Sequence, residues 1–83
     1  MNNPDSSENA FQHPELTQDE WTVLEKIVRG VWPVQIAKEM NININWVRQR
    51  FSFLRLKYEC ANIDSVRKLV QAKGMPVPPA SDA

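Results

Sequence analysis

The stretch that most constrains the fold covers residues 33 to 52, PVQIAKEMNININWVRQRFS. Ala37 is small enough to let two helices approach closely, and Asn41, four residues later, tolerates the left-handed backbone of a tight turn. Apolar residues are spaced so that they can form the contact between the helices on either side of that turn: Ile36, Met40, Ile42 and Val47. The pattern predicts two helices joined by a tight turn.

Signals for helix ends extend this unit toward the N-terminus. Thr17 and Glu20 have the spacing of a capping box, and Gly30 provides a stop, so we predict a first helix over about Gln18 to Arg29. Pro33 suits the first position of the second helix, because its missing N–H costs nothing there. The tight turn therefore follows a second helix that begins at Pro33.

Two further helices are predicted toward the C-terminus. The third covers about Ile44 to Glu59, with Asn43 as its cap, and its buried face is marked by an apolar stripe: Val47, Phe51, Leu54 and Tyr58. Asn62 can cap a fourth helix over about Ile63 to Lys73, which ends at Gly74. No strand pattern is present, so the predicted fold class is all-α with four helices.

The side of the third helix opposite that stripe is polar and basic. At 100° per residue, one flank of the stripe carries Asn45, Arg48, Ser52 and Arg55. The other flank carries Trp46, Arg50, Phe53 and Lys57. Gln49 and Leu56 lie between the flanks, farthest from the core. Two basic flanks suit the two phosphate walls of a DNA groove, so the third helix is the candidate recognition helix.

The charges are segregated along the chain, although the formal net charge of the 83 residues is zero. All ten Lys and Arg lie between Lys26 and Lys73, where three acids leave a net charge of +7, whereas residues 1–25 hold six acids and no Lys or Arg. Composition predicts a disordered acidic tail over residues 1–15, a domain over 16–75 and a Pro-rich tail over 76–83. One hypothesis is that the acidic tail folds over the basic helix and competes with DNA.

The chain lacks the residues from which active sites and metal sites are usually built. A single cysteine, Cys60, excludes an internal disulfide, and with His13 as the only histidine we expect no structural zinc site. Two glycines cannot build a phosphate-binding loop, so we expect no catalysis and no cofactor. No signal peptide or membrane-spanning run is evident, so we expect a cytoplasmic protein that does not bind membranes.

From residue 16 to residue 75 the chain resembles the LuxR-type (GerE-like) DNA-binding domain of bacterial response regulators and quorum-sensing activators. The elements that carry the resemblance follow the family's order and spacing: Leu16–Thr17, Glu20, Val23–Leu24, Gly30, Ile36–Ala37, Ile42, Val47, Lys57 and Gly74–Met75. The resemblance implies a four-helix helix-turn-helix domain. It also implies that the third helix enters the major groove of double-stranded DNA and that the fourth pairs with a second copy.

Site residues follow from the same resemblance. Arg48 matches the family's usual lysine, Gln49 and Ser52 match neighbouring positions that can reach bases, Arg50 matches the usual histidine, and Lys57 matches a lysine that faces phosphate. The expected DNA-binding set is Asn45, Trp46, Arg48, Gln49, Arg50, Ser52, Arg55 and Lys57. The expected dimer contacts are Val66, Leu69, Val70 and Lys73. An arginine fork to guanine or a glutamine fork to adenine would discriminate bases by about 1–3 kcal/mol.

Four positions depart from the family pattern. Trp32 replaces a capping serine, Trp46 a threonine and Val34 a common lysine, and Leu56 takes a position that is often basic. The two indoles fall near expected phosphate contacts, where they could stack beside the DNA backbone or block it. Trp46, with Phe53, could also pack against the first helix or the tail, or contact a partner.

Three function classes remain open from the sequence. The first is a transcription regulator that binds a short, roughly palindromic DNA site as a homodimer. The second is an interaction protein that captures another transcription regulator or RNA polymerase, and exposed apolar residues such as Phe53 and Leu56 favour it. The third is a relative of the promoter-reading region of sigma factors, which the fourth helix argues against.

Overall fold

The computed structural model describes residues 11–79, and within them it contains four α-helices and no strand. Helix α1 covers Gln18–Val28, α2 covers Pro33–Met40, α3 covers Ile44–Lys57 and α4 covers Ile63–Lys73. The prediction of an all-α, four-helix fold is confirmed. Within residues 11–79 no helix combines the length and the apolar character needed to cross a membrane.

Side-chain caps begin three of the helices, as the sequence predicts. The Thr17 hydroxyl accepts from the Glu20 N–H at 3.2 Å, and the Glu20 carboxylate accepts from the Thr17 N–H at 2.9 Å, which is a complete capping box. Asn43 caps α3 and Asn62 caps α4 through their side-chain oxygens. Helix α2 differs, because Trp32 precedes it and provides no side-chain hydrogen bond.

Left-handed residues end the first three helices. Gly30, Asn41 and Glu59 have φ of 88°, 57° and 56°. In each case the next residue donates its N–H to a carbonyl five positions earlier, as in a Schellman motif. The prediction that α3 continues to Glu59 is wrong, because the left-handed backbone of Glu59 turns the chain away after Lys57.

All four helices contribute to one core. Its fully buried side chains are Val23, Leu24, Ile36, Val47, Leu54, Val66 and Val70. Val66 and Val70 were expected at a dimer interface, but they point into the monomer core and cannot meet a partner there. On the same helix Leu69 is half-buried and Lys73 is exposed, so these two remain accessible.

The segment before α1 packs against the end of α3. Of the predicted acidic tail, residues 1–10 lie outside the described residues, as does the hypothesis that they cover α3. Phe11 stacks on Tyr58 with ring centres 6.3 Å apart, and His13 Nδ1 lies 2.8 Å from the Tyr58 hydroxyl. Residues 11–15 therefore contact the helical domain, although we expected them to belong to the tail.

The segment after α4 returns to α1. The indole N–H of Trp21 donates to the Pro76 carbonyl at 2.9 Å, and Met75 packs against the core. Residues 80–83 of the predicted Pro-rich tail lie outside the described residues. Residues 74–79 have no helix or strand and run close to His13–Leu16, so the two segments that flank the helices lie side by side.

Candidate nucleic-acid interface

Helix α3 is anchored on one side and open on the other. Val47 and Leu54 are fully buried and Tyr58 nearly so, and they fix α3 against α1, α2 and α4. The opposite side carries exposed polar residues, which we call the recognition face: Asn45, Arg48, Gln49 and Ser52. This arrangement follows from the apolar stripe predicted from the sequence, because a helix that buries one stripe must expose the side opposite to it.

The turn between α2 and α3 sets the angle at which that face is presented. Asn41 adopts the left-handed conformation with φ 57° and ψ 50°, and the N–H of Ile42 donates to the carbonyl of Ala37 at 2.9 Å. Two residues later, Asn43 caps α3 through a 2.7 Å bond to the Asn45 N–H. Ile36 and Ala37 are buried where α2 meets α3. The helix-turn-helix predicted from residues 33–52 is present.

Positive charge dominates α3. The helix carries four cations and no Asp or Glu. Within residues 11–79, Arg48, Arg50 and Arg55 have no carboxylate partner, whereas four cations of the other helices are paired: Lys26 with Glu39, Arg29 with Glu25, and Arg67 and Lys68 with Asp64. Lys38 on α2 and Lys73 on α4 are also without a carboxylate partner within residues 11–79, but α3 alone carries three such cations, despite the zero net charge of the chain.

Arg50 is held by its neighbours. Its guanidinium carbon lies 4.0 Å from the centre of the Trp46 ring and 5.6 Å from that of Phe53, and its Nη1 donates to Gln49 Oε1 at 2.9 Å. Trp46 is half-buried and packs on the core, so it provides a fixed surface for the cation. From the sequence, Trp46 and Phe53 were expected to pack or to contact a partner. Their contact with Arg50 was not predicted, although the i, i+4 spacing from Trp46 and the i, i+3 spacing to Phe53 could have indicated it.

Lys57 differs from the phosphate-facing role that the resemblance implies. Its ammonium lies 2.6 Å from Glu20 Oε1 and donates to the Glu15 carbonyl at 3.0 Å. Burial by itself raises the pKa of the Glu20 carboxyl, but the hydrogen bonds from Lys57 and Thr17 and the Lys57 charge outweigh it, so the pKa lies below its ordinary value of 4.5. A DNA phosphate would have to compete with this ion pair for Lys57.

Large apolar side chains border the recognition face. Trp32, before α2, is 78% exposed, and Leu56, near the end of α3, is 62% exposed. Trp32 and Pro33 also line an apolar cavity of about 320 Å³ that reaches Phe51 and Ile63. Trp32 and Leu56 are two of the four positions at which the sequence departs from the family pattern, and Leu56 stands where a basic residue is often found.

The expected DNA-binding residues thus fall into four groups. Asn45, Arg48, Gln49 and Ser52 are exposed together, Arg50 leans over Trp46 beside them, and Arg55 lies half-buried on the Arg48 flank next to Phe51. Lys57 is turned toward α1. The structure therefore brings together every member of the expected set except Lys57.

Two solved structures share this fold. VqmA from Vibrio cholera, in a complex with ligand and DNA, superposes with a TM-score of 0.72 at 28% identity, over 84% of this chain and 32% of that chain. Phage VqmA in a complex with DPO superposes with a TM-score of 0.70 at 21% identity, over 90% and 34%. The chain therefore spans about a third of either protein. No protein-family model and no curated protein sequence matches it.

Proposed function

We propose that this protein is a sequence-specific, DNA-binding transcription regulator of the LuxR/GerE type, with α3 in the major groove of double-stranded DNA. It would act in the bacterial cytoplasm, where the DNA is. The observation that carries the proposal is the recognition face, a polar surface that contains Arg48 and is bordered by Arg50 and Arg55, all three without carboxylate partners within residues 11–79. The similarity to a protein solved with DNA supports the same conclusion.

The chemistry of the recognition face fits DNA better than other polyanions. Helix α3 spans about 21 Å at 1.5 Å per residue, and three of the four residues of the recognition face, Asn45, Arg48 and Gln49, lie in its first half, the part of a recognition helix that meets base edges. Arg48 and Arg55 share one flank with Phe51 between them, so they suit one phosphate wall. Arg50 lies on the other flank. Phosphate contacts of this kind position a protein, and base contacts specify its site.

Pairing of two copies on DNA is the second part of the proposal. Because Val66 and Val70 are buried in the monomer, α4 can offer a partner only its outer face, where Leu69 is half-buried and Ala72 and Lys73 are exposed. The apolar area on the outer face of α4 is too small to hold a stable dimer in solution. We therefore propose that the protein is monomeric when free and pairs through α4 on a two-fold symmetric site.

The test is selection of bound sequences from a random DNA pool with purified protein, followed by affinity measurements at two salt concentrations. Arg48→Ala is the test variant, and Lys68→Ala is the matched control, because Lys68 is paired with Asp64 on α4. We expect a two-fold symmetric motif that Arg48→Ala loses and Lys68→Ala keeps, with binding that weakens with salt. Absence of any enriched motif with a folded protein would refute the proposal.

A second candidate is an adaptor that captures another transcription regulator or RNA polymerase. The observation that favours it is the exposure of Trp32 and Leu56, because large exposed apolar side chains commonly mark protein contacts. Trp32→Ala and Leu56→Ala should then abolish capture of the partner from a lysate, whereas Arg48→Ala should leave it intact. If Arg48→Ala abolishes capture and Trp32→Ala and Leu56→Ala leave it intact, the result favours the DNA-binding regulator.

A further inference from the structure

The guanidinium of Arg50 does not project from the flank of α3 on which its backbone lies. It sits over the Trp46 ring, near the Phe53 ring, and donates to Gln49. At 100° per residue, all three of these partners lie closer to the middle of the exposed side than Arg50 does. The contacts therefore bring a flank cation onto the recognition face, beside Gln49.

This placement is maintained by two kinds of contact. A planar guanidinium stacks favourably on an aromatic face, and the indole of Trp46 is itself fixed by packing on the core. The bond to Gln49 then sets the rotation of the guanidinium about that stack. Arg50 has no carboxylate partner within residues 11–79, so the contacts orient its charge without neutralising it.

The bond between Gln49 and Arg50 also decides what the pair offers to a base. Arginine only donates, so the amide atom that faces it must be the oxygen, and the Nε2 donors of Gln49 lie on the other side. Nε2 and the remaining guanidinium N–H groups then present donors only. In the major groove guanine offers two acceptors, N7 and O6, whereas adenine offers N7 and an N6 amino donor. The N6 amino group of adenine would meet a cation and further donors.

We propose that Gln49 and Arg50 act as one donor unit that selects guanine, and that Trp46 and Phe53 are positioning residues for it. This rests on the proposed DNA binding. It differs from the role that glutamine takes alone, which is a fork to adenine. The proposal also gives a reason for a tryptophan near the start of a recognition helix, because Trp46 orients Arg50.

The experiment uses the full chain and its selected DNA site. Each guanine of the selected motif is replaced in turn by 7-deazaguanine, which lacks the N7 acceptor, and by inosine, which keeps N7 and O6 and is the matched control. At one position we expect 7-deazaguanine to weaken wild-type binding roughly 5- to 150-fold and inosine to leave it unchanged. Arg50→Ala should remove the sensitivity to 7-deazaguanine at that position.

Protein variants separate positioning from structure. Phe53→Ala and Trp46→Phe should stay folded, as circular dichroism would check, and should weaken the preference for guanine at that position while keeping preference elsewhere in the motif. Arg55→Ala, on the opposite flank, should weaken all sequences equally. A merely structural role for Trp46 would lower affinity for every sequence alike, which would overturn the positioning role.

The remaining outcomes are also decisive. Selection of adenine that depends on Gln49 and not on Arg50 would overturn the donor unit and leave DNA binding intact. If every guanine that is sensitive to 7-deazaguanine in the wild type is equally sensitive in Arg50→Ala, the donor unit is overturned in the same way. Failure of the wild-type protein to select any sequence would refute the proposed function itself, and the donor unit with it.

Discussion

The ammonium of Lys57, at the end of α3, lies 2.6 Å from the carboxylate of Glu20, a residue of the α1 capping box that is 5% exposed. One carboxylate thus serves both the beginning of the first helix and the end of the third. Removal of Lys57 leaves the Glu20 carboxylate with only the Thr17 N–H as a partner, and Glu20 has little access to water to replace the lost ion pair.

Lys57→Met should therefore destabilise the fold. Methionine keeps the apolar stem of the side chain but leaves the buried Glu20 carboxylate without a counter-charge, with only the Thr17 N–H to donate to it. We expect a loss of about 2–3 kcal/mol, less than for a fully buried pair, because the Lys57 side chain is 35% exposed. Urea denaturation of the wild type and of the variant measures this loss in the free energy of unfolding. Lys68→Met, which removes an exposed ion pair with Asp64, is the control and should change stability by less than about 0.5 kcal/mol. Equal effects would contradict the role given to Glu20.

The same pair predicts a dependence on acid. The pKa of Glu20 is lower in the folded state than its ordinary value of 4.5, so its contribution to stability is complete above that value. It is lost as the pH falls through the folded pKa. Glu20→Gln should flatten this part of the stability curve, measured by thermal unfolding between about pH 2 and 6. An unchanged acid limb would show that other carboxylates produce it.

The burial of Tyr58 predicts how the protein behaves in alkali. Burial raises the pKa of Tyr58 to about 12, so the neutral phenol stabilises the fold below the unfolded value of 10.0, and this contribution is lost as the pH rises toward 12. Tyr58 is the single tyrosine, so absorbance at the phenolate band reports it alone. Phe11→Ala should lower the titration midpoint toward 10.0, because it uncovers the ring. Gln12→Ala, at an exposed neighbouring position, should not move it.

The left-handed turns predict opposite effects of glycine. Glu59→Gly should stabilise the protein by about 0.5–1 kcal/mol, because a non-glycine residue at φ 56° carries strain. Gly30→Ala should destabilise the protein by about 1 kcal/mol, because alanine is strained at a φ of 88°. The added methyl group would meet no atom within 4 Å, so this cost comes from the backbone conformation alone. Glu59→Ala controls for loss of the Glu59 side chain. Thermal unfolding measures all three, and a stable Gly30→Ala variant would be evidence against strain at that turn.

Substitutions on α4 should separate the core from the proposed pairing surface. Val66→Ala should cost about 2–3 kcal/mol of stability by leaving a cavity, with little effect on pairing once the protein is folded. Leu69→Arg should instead reduce cooperative binding of two copies to a two-fold site while single-site binding persists. Gel-shift titrations on full and half sites make this comparison. Loss of half-site binding in Leu69→Arg would show that the variant perturbs the fold and not the pairing.

Local sequence signals predicted the helices well. Capping residues such as Thr17 and Asn62 act on N–H groups two or three positions away, so their effect can be recognised without knowing the fold. The end of α3 could not be recognised in this way. Glu59 takes a backbone conformation that glycine or asparagine usually occupies, and no local signal indicates it.

Contacts between residues far apart in the sequence limited how much of the site could be predicted. The apolar positions of α4 predicted a buried face, but an amphipathic pattern does not say whether Val66 meets its own core or a second copy. Similarly, Lys57 meets Glu20 across 37 positions of sequence and His13 meets Tyr58 across 45. Such contacts depend on how the helices pack. The recognition face was predictable because it is a property of one helix.

The segment that leads into α1 is fastened to the last turn of α3 before α1 begins. Phe11 and His13 contact Tyr58, and the carbonyl of Glu15 accepts from Lys57. A force that pulls on the chain at Phe11 is consequently transmitted to the C-terminal end of α3 through these contacts. A domain or tether attached at that point would therefore act directly on the packing of α3 against the rest of the core.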